Sequence, residues 1–575
     1  MEIKIFDETL RTAQYLNTDQ RTMLNERKET VSFFTPRNDI VCFNVCLYGF
    51  SDETLVCCDN RSALCIQGDY EILRVETKWD FSVRQNIVGC IDNEDAVHYG
   101  DVLLSCPTYF ADRHEIVNVF CRAEIPADAL PGKYSMQVKV FGRRGFGGER
   151  EIFSRRLTVE VSSVILKKSE YNLDIWQHCA NIARKHEVRL WSEEHFAVLD
   201  GYVAALAALG QKSITVTVSD APWCSQNSYN NREYLSDMFE YGMIESRYER
   251  GELVCDYTAM DRYIELCFSH GITEEIELFG LTGIWVNEAE GFGKLSDEML
   301  DGVRIRVKKE DGCYGYLSGQ AEVDEFVVKL YRHCMEKGYL DKVRAVVDEP
   351  KNFDEFMTRF RHYHELCPKL RYKAAVYHLE FLERAPEEID KVCIFIMSFF
   401  EHADRVREII KRRREVEYTY YVCCYPNYPN TFLKNPLAEA RLIPLLGKVL
   451  GVQGFLRWGF TAWPENPREK LSFRPTAWGT GDTCFVYPSR GGYPLLSLRY
   501  MNLLRGIGDY QLYERCSEKT QQKVMNVLIK ERDITRYYHR YLPDLYENGG
   551  KFYSIRYEDY ESARRLMIEE MERNG

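Results

Sequence analysis

Beyond about residue 170 the chain settles into a rhythm that narrows its fold sharply. Short apolar runs of strand length alternate with longer segments of helical periodicity. Eight such runs stand out: Val188–Trp191, Ser213–Val218, Glu277–Leu281, Arg344–Val347, Tyr372–Val376, Val392–Met397, Tyr418–Cys423 and Gly454–Trp458. Helical patterns such as Glu322–Lys337 and Ala438–Leu450 lie between them. Alternating strand and helix predicts a parallel sheet. Eight units over roughly 320 residues fit a (β/α)8, TIM-like barrel, with its longest insertions before the third and fourth strands.

The region before it reads differently. Val41, Phe43, Val45 and Leu47 alternate with Cys42, Asn44 and Cys46, the period of a strand. Val117, Val119, Cys121 and Ala123 do the same, and a turn through Pro126 and Pro131-Gly132 leads into Tyr134, Met136, Val138 and Val140. Leu157, Val159 and Val161 give another strand. The Gly-rich stretch 141–148 has no helix after it, so it reads as a hairpin loop and not a phosphate cradle. An antiparallel β-sandwich is predicted. The 575 residues exceed one ordinary core. They divide into a sandwich over 1–165, a barrel over 166–510 and a helical C-terminal segment, 511–575, packed on the barrel.

Composition removes several functions. The formal net charge of −13 lacks the basic footprint of a nucleic-acid binder. It suits a neutral, sugar-like ligand. No apolar run reaches the length of a membrane span. The N-terminus has neither a basic n-region nor a long apolar h-region. The chain as it stands is therefore expected in the cytoplasm, or outside it if a signal was trimmed. Twenty scattered cysteines include no paired CxxC motif, so no structural zinc is expected. Cys57-Cys58 and Cys423-Cys424 are adjacent pairs. No pattern assigns an oligomeric state.

A barrel enzyme works at the C-terminal ends of its strands, so the residues after each run become the candidates. They include Glu193 and His195 after the first, Trp223 after the second and Trp285 after the third. Asp348-Glu349-Pro350 follows the fourth, Tyr377-His378 the fifth, Tyr425 the seventh, and Trp458 and Trp463 fall at the eighth. Two carboxylates directly after Ala345-Val346-Val347 are costly to bury unpaired, and a strand end opening on a cleft removes that cost. Neighbours on a regular strand face opposite ways, so one site can use both only if the chain bends. Pro350, which restricts Glu349 to extended conformations, would favour such a departure. The same triplet also fits a solvated strand-to-helix connection. His378 fits a base, a sugar ligand or a hydrogen-bonded structural residue. The run Lys411–Arg414 reads as a solvated helix face.

At these residues the chain resembles glycoside hydrolase family 123 and the related proteins that carry domain of unknown function 4091. The matching stretches are Val119–Val140, Ile175-Trp176-Gln177-His178 through Phe196, Asp348-Glu349-Pro350, Tyr377-His378, Cys423-Cys424 through Phe432, Gly454–Trp458 with Trp463, Gly481-Asp482, Tyr487-Pro488 and Gly508-Asp509-Tyr510. They occur in the family's order. The resemblance implies a retaining exo-β-N-acetylhexosaminidase, N-acetylgalactosaminidase-like, without cofactor or metal. It implies that Asp348 orients the substrate's 2-acetamido group, whose oxygen attacks C1 to form an oxazoline. Glu349 then protonates the leaving oxygen and later activates water. Tyr377, His378, Tyr425, Trp458, Trp463, Trp285, Glu193 and His195 are the expected sugar-binding set. Thr461 stands where the family is expected to carry Asn. Two other readings compete: a glycosidase with a protein nucleophile (Glu193, Glu288 or Glu465), and a non-catalytic carbohydrate-binding protein on the same scaffold.

Overall fold

A computed structural model describes residues 1–58, 69–223, 239–285, 291–463, 478–537 and 550–574. Residues 2–165 form two facing sheets. One orders Glu2–Asp7, Asp39–Tyr48, Ile116–Ile125, Val83–Asp92 and His98–Leu103, all antiparallel. The other orders Ser32–Arg37, Arg150–Ile165, Gly132–Arg144, Glu71–Lys78, Thr54–Cys57 and Thr108–Ala111. Its pairing is antiparallel except at two places, where Ser32–Arg37 joins Arg150–Ile165 and Thr54–Cys57 joins Glu71–Lys78 in parallel. The residues alternating as Val41, Phe43, Val45, Leu47 meet Met136, Val138, Val140, Leu157, Val159 and Val161 in the core between the sheets. The Gly-rich stretch joins Gly132–Arg144 to Arg150–Ile165 as a hairpin.

The intervening residues Cys42, Asn44 and Cys46 are buried as well. The five-stranded sheet is therefore covered on both faces. Cys42, Val88, Val102 and Phe120 belong to the same buried cluster as the barrel, and at the sheet's edge Leu103 donates its amide to the Leu496 carbonyl while Val102 bridges Ser497.

The barrel strands are β1 (Asn172–Ile175), β2 (Ser213–Thr217), β3 (Glu275–Phe279), β4 (Val343–Asp348), β5 (Arg371–Val376), β6 (Ile389–Phe395), β7 (Glu417–Tyr421) and β8 (Gly454–Arg457). All run parallel, in the ring order β1-β8-β7-β6-β5-β4-β3-β2. Between β1 and β2 the ladder thins to a single Leu173–Gln211 bridge. The Gln211 side chain fills the seam: it accepts from the Ile175 amide and donates to the Ile175 and Ser213 carbonyls.

The first expected strand is a correction. Val188–Trp191 lies in the irregular connection between helices Cys179–Lys185 and Glu193–Leu209. The true first strand has four residues, too short to show a period. The insertions before β3 and β4 meet in one small sheet, where Glu245–Glu249 pairs with Glu252–Asp256 and with Arg306–Lys308, and the last with Tyr314–Tyr316.

Inside the barrel, Lys373 of β5 is ion-paired at once with Asp174 of β1 and with Glu275 and Glu277 of β3. Burial, with Asp174 beside it, pushes Glu277 well above the usual carboxylate range. A second buried node joins distant parts of the chain. Arg441 meets Glu8, Asp509 and Glu561; Arg505 meets Glu8, Asp39 and Glu561; Arg564 meets Asp39 and Asp509. The last helix, Tyr557–Asn574, thus reaches the sandwich as well as the barrel. Among the described residues no helix is long and apolar enough to cross a membrane.

Candidate active site

Asp348 ends β4 and Glu349 follows it. Glu349 has φ +45, the left-handed region that a non-glycine residue enters only at a cost of roughly 1–3 kcal/mol. This is the bend that turns consecutive side chains to one side, and it corrects the expectation that Pro350 would hold Glu349 extended. The neighbours hold the turn in place. The Asp348 amide donates to Gly283 (3.0 Å) and the Glu349 amide to Ala375 (3.0 Å). Gly283 lies against Val347 with φ +61, and a Cβ there would sit 2.5 Å from Val347 Cγ1. Only glycine lets the β3 exit come so close.

Both carboxyls line one cavity of about 120 Å³ with Trp176, Trp223, Trp285, Trp458, Trp478, Tyr421, Cys423, Cys424, Ala375 and Leu456. Five of the eight tryptophans therefore surround the pair. Trp223 packs on Trp176 and Phe279, with ring centroids 6.0 and 4.8 Å away, and Trp458 meets Trp478 edge-on at 5.6 Å. Burial, and next the charge of Glu349, push Asp348 up to about 8, against a hydrogen bond from Trp223. Burial also raises Glu349, opposed first by the Tyr421 hydroxyl and then by His378. The Tyr421 hydroxyl donates to Glu349 Oε1, and the Tyr421 ring stacks on Phe395 at 4.9 Å. Among the described residues no further carboxylate lines the cavity. A wider groove of about 820 Å³ lies over the outer helices around Arg407, Lys448 and Lys519, with one carboxylate, Glu518, and no indole.

The other expected site residues separate into groups. Trp285 and Trp458 face the cavity. Trp458 is held there by Asp482, which accepts from its indole (3.2 Å) while paired with Arg457 (2.9 Å). His378 is exposed at the rim, close enough to lower the Glu349 pKa. Tyr377 lies behind, its hydroxyl directed to Glu401. Tyr425 is exposed beyond Cys424.

Three lie away from the cavity. Trp463 is fully buried, donates to the Val486 carbonyl (2.8 Å) and packs on Tyr202. His195 is buried, with Nδ1 accepting from the Trp191 amide and Nε2 3.0 Å from the Cys179 carbonyl. Glu193 projects into solvent from an outer helix and pairs with Arg262. Their assignment followed from taking Val188–Trp191 as a strand and from Trp463's closeness to β8. Glu288 and Glu465 lie outside the described residues. Thr461 is sealed beneath the rim, where it accepts from the His178 amide (3.0 Å).

Sequence reasoning did not select Trp176, Trp478 or Tyr421. Trp176 follows β1, the strand that was missed, and Tyr421 is the last residue of β7, so correct strand ends would have found both. His178 was also passed over: both its ring nitrogens are buried without a hydrogen-bond partner, and its ring sits 4.9 Å from Trp223 and 5.9 Å from Trp458. Burial pushes it down to about 3, so it is neutral.

A barrel mouth that sets a carboxylate pair among indoles has the means to hold a sugar ring and to move a proton at its glycosidic oxygen. The enzyme class it defines is the glycosidases. The family model described as Glycoside hydrolase 123, catalytic domain matches residues 176–516, more than half of the sequence, and the chain belongs to glycoside hydrolase family 123. In fold it is similar to a family 123 glycoside hydrolase from Clostridium perfringens, at 16% identity and a TM-score of 0.71, covering 100% of this chain and 98% of that one. A family 5 xyloglucanase from Bacteroides ovatus aligns over 84% of this chain and 99% of its own, at 7% identity and a TM-score of 0.28. No curated protein matches.

Proposed function

We propose that the protein is a retaining exo-β-N-acetylhexosaminidase, N-acetylgalactosaminidase-like, that uses the substrate's own acetamido group as nucleophile. The observation that carries this reading is the left-handed turn at Glu349, which presents two adjacent carboxylates to one indole-lined cavity. A protein nucleophile would need a carboxyl about 5–5.5 Å from the acid across the ring. Adjacent carboxylates fit a mechanism in which both act from one side and the nucleophile comes with the sugar.

The electrostatics fit a division of labour. Tyr421 donates to Glu349, which favours the ionised form of that residue and the proton's place on Asp348. An acetamido N–H directed at Asp348 would favour its ionised form instead. The pair then carries its proton on Glu349, next to the leaving oxygen, and Asp348 aligns the acetamido oxygen on C1. After the oxazoline forms, Glu349 takes a proton from water. Coupled groups share such a proton as a pair. The Clostridium perfringens relative is described as hydrolysing glycolipid glycans, so glycolipid glycans are the first natural substrates to try.

The test is turnover of matched aryl β-glycosides with and without the 2-acetamido group. Cleavage only of the acetamido sugar is expected. Equal turnover of both would require a protein nucleophile, and turnover of neither, with sugar still bound, would leave a binding protein.

A further inference from the structure

Cys423 and Cys424 form part of the cavity wall, beside Tyr421 and Glu349. Their Sγ atoms are 3.8 Å apart. Adjacent residues in an extended strand would send their side chains to opposite faces. Here β7 has ended at Tyr421 and the backbone bends through both cysteines. The Cys423 amide donates to the Tyr425 carbonyl (3.1 Å), and the Asn430 side chain donates to the carbonyls of Cys423 (2.9 Å) and Pro426 (2.7 Å). The turn is thus tied down on both sides, and it brings the two sulfurs together at the cavity. Both residues are partly exposed.

We infer that Cys423-Cys424 is a dithiol modification site in the wall of the active-site cavity, converted reversibly by low-molecular-weight disulfides into a bond between neighbouring residues. The Cys424 contact and, next, burial push the Cys423 thiol well above the usual range, so the exchange opens at the Cys424 sulfur. Its thiolate attacks one sulfur of the oxidant, forms a mixed disulfide and releases one thiolate. The Cys423 sulfur then loses its proton, attacks the Cys424 sulfur and releases the second. Two electrons pass from the cysteine pair to the oxidant, which leaves as two thiols.

The product is reversible for a geometric reason. Neighbouring Cα atoms are about 3.8 Å apart, whereas disulfides usually span roughly 4.4–6.8 Å. A bond closed across one peptide link is strained, and strained disulfides are the labile ones. Its formation draws the two sulfurs together next to the Tyr421–Glu349 contact, so the oxidised state alters the cavity wall beside Glu349.

The test is peptide mass mapping of the intact protein after oxidised glutathione, with remaining thiols alkylated before digestion. The expected result is a 423–424 peptide lighter by two hydrogen atoms and unalkylated, restored to the doubly alkylated form by dithiothreitol. Cys423→Ser and Cys424→Ser should each lose that species, and the remaining sulfur should appear alkylated or glutathionylated. Double alkylation of the pair in the oxidised wild type, or a bond from either sulfur to a different cysteine, overturns the inference. The readout is a mass, independent of whether the enzyme cleaves the sugar proposed above.

Discussion

The Tyr421 hydroxyl donates to Oε1 of Glu349, from the end of β7 to the residue that follows β4. That bond opposes the effect of burial on the Glu349 carboxyl. Tyr421→Phe removes it, so Glu349 should ionise at higher pH than in the wild type. The basic limb of the pH–rate profile is expected to move upward by about one pH unit, ~1.4 kcal/mol. An unchanged profile would mean that this hydroxyl has no part in setting the acid.

The two carboxylates should fail in different ways. Glu349→Gln is expected to lower cleavage of substrates with sugar leaving groups by ~10²–10⁴-fold, and to affect activated aryl glycosides less, because they need less protonation. Asp348→Asn should keep its defect with activated leaving groups, since it impairs the attack itself. Pre-steady-state rates on the two substrate types separate these cases; identical profiles for both variants would undo the assignment of roles.

Asp348 also makes stability depend on pH. Its carboxyl is held up to about 8 in the folded chain, against about 3.9 when unfolded. The folded state therefore binds the extra proton between these values, and stability from this group is present at acid pH and lost as pH rises toward 8. Asp348→Asn cannot ionise. Its Tm should exceed that of the wild type at pH 8, and the gap should close near pH 4. A gap of equal size at both pH values would point to packing and not to charge.

The tryptophans divide by position. Trp285→Ala removes a cavity wall and should raise KM several-fold, on the order of 1 kcal/mol, with little change in Tm. Trp463→Ala should instead cost ~3–5 kcal/mol of stability, because that ring is fully buried and bonded to Val486. Denaturant titrations and substrate saturation curves on both variants check the contrast, which fails if Trp463→Ala alters KM alone.

These contrasts mark how far the sequence could be read. Seven barrel strands stand where their apolar runs placed them, since a buried parallel strand is a continuous apolar run. The first did not: Asn172–Ile175 is too short to show a pattern, and Val188–Trp191 imitated one. The error carried Glu193 and His195 into the expected site and left Trp176 out. The carboxylate pair was legible because Asp348-Glu349 follows an apolar run. The way it faces one cavity was not, because a positive φ at a residue before proline leaves no compositional trace. Trp463 was misread for a related reason: nearness to a strand end does not say whether a ring turns outward or under the rim.

Lys373 is the shared counter-ion of three buried carboxylates from two other strands. Lys373→Met would leave Asp174 and Glu277 facing each other without that cation, while Glu275 keeps Lys391 and Arg344, at a cost of ~3–5 kcal/mol, eased at acid pH as the carboxylates take up protons. The midpoint of chemical unfolding at pH 5 and pH 8 measures this; equal midpoints for variant and wild type would show that the cluster is balanced by other groups.

The node of Arg441, Arg505 and Arg564 has its acids on parts of the chain that lie far apart: Glu8 and Asp39 in the sandwich, Asp509 on the helix Leu498–Glu514 that follows β8, Glu561 on the last helix. Cutting residues 1–165 away would strand buried guanidinium groups without some of their anions, and cutting the last helix would remove Arg564 and Glu561 together. Sheet layers and barrel are therefore expected to melt in one transition. The segment that carries the family's chemistry, 176–516, is shorter than the segment that has to be synthesised for that chemistry to have a scaffold.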